Sequence, residues 1–126
     1  MKKMIGETKL EKAVARIVNS YAKDYDNGVT GFLADLMSDG CSSGLVGELI
    51  YYNDTTRFFN RHRKEISELL ADTCESFGGG PEMVFGDKWD KEDPLARNDL
   101  NKNLLAWFAF EETAIRLGKE QGFIEE

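Results

Sequence analysis

The sequence predicts an all-α fold. Apolar residues recur at helical spacing in several segments, capping residues and glycines bracket those segments, and strand signal is weak throughout. The architecture this implies is a single domain over residues 1–126. It holds about five helices, with an ordered aromatic-containing loop before the last long helix. A chain of 126 residues buries roughly two thirds of its unfolded surface, enough for one core without staples.

The first helix is announced by Thr8-Lys9-Leu10-Glu11, a capping box with a hydroxyl at the N-cap and a carboxylate three residues on. Leu10, Ala13, Val14, Ile17, Val18, Tyr21, Ala22 and Tyr25 then keep helical register. The helix is expected over Lys9 to about Asp24, with Asn27-Gly28 ending it, since glycine tolerates the left-handed cap. Thr30 is placed to cap a second helix through Phe32, Leu33, Leu36 and Met37, stopped by Ser38-Asp39-Gly40. Ser42 or Ser43 would start a third, with Leu45, Val46, Leu49 and Ile50 on one face. Gly44 and Gly47 near its start weaken it or permit close backbone packing.

Asn53 or Asp54 caps the fourth helix, whose stripe is Phe58, Phe59, His62, Ile66, Leu69, Leu70, Thr73, Cys74 and Phe77. Gly78-Gly79-Gly80-Pro81 stops it. Residues 81–97 carry Met83, Phe85, Trp89 and Leu95 among many charges, and read as a loop pinned by aromatics or an irregular hairpin at Phe85-Gly86. Asn98 or Asp99 caps the last helix. Its stretch from Leu104 to Phe110 is apolar all round, which predicts the centre of the core, with Gly118 and Gly122 fraying its end.

Composition narrows the compartment and the partner. Net charge is −7 and the pI about 4.8. Duplex DNA and anionic membranes are therefore poor partners for the protein as a whole. Cys41 and Cys74 form no CxxC pair and are too few for a disulfide framework, so a reduced, cytoplasmic setting is expected. The N-terminus lacks a signal-peptide apolar core, and no run approaches the roughly 18 apolar residues of a membrane span.

Catalytic chemistry is thinly signalled, and no cofactor is expected. His62 is the sole histidine. Flanked by Arg61 and Arg63 it is a conceivable general base, but its register favours a half-buried helix residue. Cys74 lies on an apolar stripe and reads as core. Cys41, at a loop-to-helix junction, is either inert or a thiol of lowered pKa. Asp24-Tyr25-Asp26-Asn27-Gly28 opens like a calcium loop, but its twelfth position is Asp35 and its glycine is one place early, so helix termination is preferred. Gly40 to Gly47 enters a helix and could receive an anion, yet it lacks a following lysine and has Glu48 and Asp39 nearby; a tight turn fits better.

Charge distribution is the strongest functional signal. No lysine or arginine occurs from Asp24 to Thr56, a span carrying Asp24, Asp26, Asp35, Asp39, Glu48 and Asp54. If these acids share a face they imitate a row of phosphates and can dock on a basic channel; otherwise they form a solvated surface. Arg57, Arg61, Arg63 and Lys64 follow, interleaved with Phe58, Phe59 and His62. That cluster supports either nucleic-acid contact or neutralisation of acids within the fold.

The segment Gly40-Cys41-Ser42-Ser43-Gly44-Leu45-Val46-Gly47-Glu48-Leu49-Ile50-Tyr51-Tyr52-Asn53-Asp54-Thr55, with Phe58 or Phe59 following, resembles the signature of a family of small uncharacterised acidic proteins. That family is carried on phages, plasmids and integrative elements of gut Firmicutes. Asn103 to Ala114 resembles its C-terminal helix. The resemblance implies no assigned chemistry, only a context in which such proteins often inhibit host defence. The combined expectation is a non-enzymatic binding protein, an anti-CRISPR or anti-restriction inhibitor presenting an acidic face to a basic protein partner. The alternative is a nucleic-acid-binding or regulatory protein using the basic cluster. Homodimerisation through amphipathic helices is a further expectation.

Overall fold

The computed structural model describes residues 2–39, 58, 61, 62, 64–66, 68, 69 and 99–125, with the side chains of all these except 39, 99–105 and 107. The described residues are predominantly helical and include no strand; the fold is all-α. Three helices are described along their length: α1 (Lys9–Ala22), α2 (Gly28–Asp39) and α3 (Asp99–Glu120). The expected helix after Ser42, the segment from Gly40 to Gly47, the loop over 81–97 and both cysteines lie outside the described residues. The chain divides into two compact units, Met1–Leu49 with Phe110–Glu126, and Ile50–Ala109.

In the first unit, α1 starts where the capping box places it. Thr8 Oγ1 accepts from the Glu11 amide at 3.1 Å, and Glu11 Oε1 accepts from the Thr8 and Glu7 amides at 3.2 and 3.0 Å. Two orphan N–H groups of the helix entry are thereby satisfied. Leu10, Val14, Ala15, Ile17, Val18 and Ala22 are buried along one side. Tyr21 and Tyr25 are half-buried and flank Phe32 of α2, at 6.1 and 5.9 Å between ring centroids. Phe32, Leu33 and Leu36 are fully buried, as are Phe110 and Ala114 of α3.

Three boundaries differ from expectation. Regular helix ends at Ala22, and the chain continues in tight turns in which the Asp24 and Tyr25 amides donate to the Tyr21 and Ala22 carbonyls. Gly28, at φ +59°, then opens α2 directly, so Thr30 is not its cap. The Thr30 hydroxyl instead donates to the Phe123 carbonyl at 2.8 Å. Gly118 is not at a frayed end: it lies within α3 against Leu33, and the chain leaves the helix near Gly122.

The N-terminal segment is fastened by two reciprocal amide pairs. The Asn19 carboxamide accepts from the Met4 amide at 2.8 Å and donates to the Met4 carbonyl at 2.9 Å. The Gln121 carboxamide does the same with Ile5, at 2.9 and 2.6 Å. These bonds seat Met4 in the core at 3% exposure and leave Ile5 in solvent at 69%.

In the second unit the described residues cover part of the stripe read on the fourth helix, while Phe59, Leu70, Thr73, Cys74 and Phe77 lie outside them. The His62 and Ile66 amides donate to carbonyls one turn back, at Phe58 and His62. Phe58, His62 and Ile66 are all buried.

Candidate functional site

Three of the six acids singled out from the sequence have described side chains: Asp24, Asp26 and Asp35. All three are exposed. Asp24 and Asp26 stand in the turn between α1 and α2, where interrupted helix bonding points short polar side chains outward. Asp35 lies two turns into α2. The Tyr25 hydroxyl donates to Asp35 Oδ2 at 2.7 Å, tying that carboxylate back to the turn between the other two. Among the described residues none of the three is ion-paired. The side chain of Asp39, and Glu48 and Asp54 altogether, lie outside the described residues.

The basic cluster is described at Arg61 and Lys64, both exposed, while Phe58, His62 and Ile66 between them are buried. The cations therefore occupy the solvated side of this segment. His62 packs against Phe58 at 5.1 Å between centroids, the core-facing position its register implied. Arg57 and Arg63 lie outside the described residues.

A second charged feature in the first unit was not read from the sequence. The N-terminal segment and one face of α1 enclose an open cleft of about 680 Å³. Lys2, Lys3, Lys12, Arg16 and Lys23 line it, with no carboxylate among the lining residues. Buried Met4, Ala15, Ala22 and Val29 form its apolar floor. Lys2 is engaged elsewhere: its Nζ donates to the Gln121 carbonyl at 2.7 Å and stands 5.0 Å over the Phe123 ring. Lys3, Lys12, Arg16 and Lys23 are exposed, and among the described residues none is ion-paired. The sequence signal was available in the spacing of Lys12, Arg16, Asn19, Ser20 and Lys23, which is one helical face. The folding of Lys3 across it was not, because that depends on the Asn19–Met4 pair.

Away from the cleft, α1 and α3 are joined by an ion pair. Arg116 Nη2 meets Glu11 Oε2 at 2.8 Å, and Arg116 Nη1 reaches Glu120 at 3.3 Å. Burial pushes the Glu11 carboxyl up, but the guanidinium and the Thr8 and Glu7 amides outweigh it and hold the carboxyl below its ordinary value. Arg116 is likewise penalised by burial, and its two carboxylate partners raise it overall. Glu111 has no such compensation. Its Oε2 is buried with no hydrogen-bond partner, and burial pushes its carboxyl up.

Among the described residues no group of three His, Cys, Asp or Glu side chains could hold a metal ion, and no helix is long and apolar enough to cross a membrane. No curated protein and no solved structure matches the chain. A family model does match it, over residues 7–122, nearly the whole length; the protein belongs to the DUF7222 family, a domain of unknown function.

Proposed function

We propose that this protein is a non-enzymatic binding factor that engages a basic protein surface through the acidic edge at the α1–α2 turn. The observation that supports this reading is the Tyr25–Asp35 hydrogen bond, which holds an exposed carboxylate beside the turn bearing Asp24 and Asp26. The Asp35 carboxylate, already restrained, loses less freedom on binding, and each of the three carboxylates can accept a charge-assisted bond from arginine or lysine. With no cation from Asp24 to Thr56 to neutralise them, their shared field also steers a positively charged partner.

In its sharper form, the partner is the nucleic-acid channel of a host nuclease, a CRISPR effector or a restriction enzyme, occupied by carboxylates in place of phosphates. The protein would then be a cytoplasmic accessory factor of a mobile element. Affinity capture from a candidate host lysate, followed by mass spectrometry and a DNA-cleavage assay on the captured nuclease, tests this. The wild-type chain should retain a basic nuclease and inhibit it, while the Asp24→Lys/Asp26→Lys/Asp35→Lys variant should do neither. Equal retention by both proteins would remove the acidic edge from the interface.

A further inference from the structure

We propose that the cleft between the N-terminal segment and α1 binds a small organic polyphosphate, of the nucleoside polyphosphate class. This site shares no residue with the acidic edge, which it adjoins at Lys23–Asp24, and does not depend on it. The argument begins with charge. A chain of net charge −7 nonetheless gathers Lys3, Lys12, Arg16 and Lys23 around one depression, with Lys2 at its margin and no carboxylate lining it. Like charges held together without counter-ions repel, and a bound anion relieves that repulsion while gaining several charge-assisted bonds at once.

Geometry selects the kind of anion. Lys12 and Arg16 are one helical turn apart, about 6 Å along the axis, and Lys23 lies about 10 Å beyond Arg16. Cations at the first spacing can grip adjacent phosphates of one chain from the same side, and Lys3, which also lines the cleft, adds a further cation. Arginine adds a planar fork that matches two phosphate oxygens. The walls are pre-set, because the Asn19 carboxamide bonds both the amide and the carbonyl of Met4 and holds the N-terminal segment in place.

The rest of the cleft selects an organic ligand of limited size. Exposed Ile5 at the rim, beside the aliphatic stems of the lysines, offers an apolar contact that a bare inorganic anion would leave uncovered, while Met4, Ala15, Ala22 and Val29 beneath are only 3–5% exposed. At about 680 Å³ the cleft falls within the range of small-ligand sites, about 300–1,000 Å³. A long nucleic acid fits less well: the α1 cations reach along only about 16 Å of helix axis, and the acidic remainder of the protein repels an extended polyanion.

Titration calorimetry of the full chain with ATP, and separately with inorganic tripolyphosphate, tests the proposal, with amide chemical shifts locating the site. ATP should bind with one-to-one stoichiometry, more tightly than tripolyphosphate, and shift the amides of Ala15, Arg16, Asn19 and Ser20. Arg16→Gln and Lys12→Gln are exposed substitutions that leave the fold intact, and each should weaken ATP binding by about tenfold. Lys9→Gln, on α1 but outside the cleft, should leave it unchanged. Four results would overturn the proposal: no binding of ATP, binding indifferent to Arg16→Gln, tripolyphosphate binding as tightly as ATP, or a short single-stranded RNA displacing ATP with higher affinity.

Discussion

Replacing Glu11 with alanine removes three interactions at once, and their cost can be worked from the geometry. Oε1 accepts the Thr8 and Glu7 amides, the return half of the capping box, worth about 0.5–1 kcal/mol by analogy with N-cap deletions. Oε2 pairs with Arg116 at 2.8 Å. The Arg116 side chain is 41% exposed against 13% for Glu11, so the solvent-screened value for an ion pair, about 0.5–1 kcal/mol, applies. The expected loss is therefore about 1–2 kcal/mol at pH 7, or a fall in Tm of about 5 °C for a chain of this size. The loss should also depend on pH in one direction. A carboxyl held below its ordinary value of 4.5 contributes stability that is present above that value and disappears as pH falls through the folded-state pKa. Urea unfolding followed by circular dichroism, from pH 7 down to pH 3, measures both effects. A Glu11→Ala/Arg116→Ala double variant should recover about 0.5–1 kcal/mol relative to the sum of the singles. Wild type and Glu11→Ala having equal stability at pH 7, or a gap that stays constant to pH 3, would refute the reasoning.

Three further outcomes follow from burial and close approach. Phe32→Ala should cost about 3–5 kcal/mol, because it empties a fully buried site flanked by Tyr21 and Tyr25; a loss under about 1 kcal/mol in urea unfolding would mean that this packing is not as described. A Cβ on Gly6 would overlap the backbone of Glu11 and Lys12, so Gly6→Ala should lift the N-terminal segment and abolish hydrogen-exchange protection at the Met4 and Ile5 amides; unchanged protection contradicts that. Glu111→Gln should raise stability at pH 7, since it removes a charge from a site that burial disfavours. The sign is opposite to that of Glu11. A carboxyl held above its ordinary value leaves the wild type destabilised once pH rises past that value, so the gain from Glu111→Gln should shrink below about pH 4.

Helix α1 was legible because its signals are local. Thr8 and Glu11 are three residues apart, and the apolar register of Leu10, Val14, Ile17 and Val18 shares its period with no strand. The start of α2 was not. Gly28 in the left-handed region reads from the sequence as a terminator, but the same conformation lets the turn after α1 lead straight into the next helix. Thr30 and Gly118 misled for a related reason: both are used over long range, by the Phe123 carbonyl and by Leu33. Helical propensity says nothing of such partners. The same division holds for the charged surfaces. Segregated charge was visible in the sequence, whereas the Tyr25–Asp35 bond and the Asn19–Met4 pair both join residues separated along the chain.

The acidic edge is tested most directly with a defined basic ligand. A fluorescein-labelled arginine-rich peptide should bind the wild-type chain with an affinity that falls steeply between low and physiological salt, as exposed charges are screened over about 10 Å at 0.1 M ionic strength. The Asp24→Lys/Asp26→Lys/Asp35→Lys variant should lose most of that binding and most of its salt dependence. Fluorescence anisotropy giving the same affinity and the same salt slope for both proteins would contradict recognition through this edge.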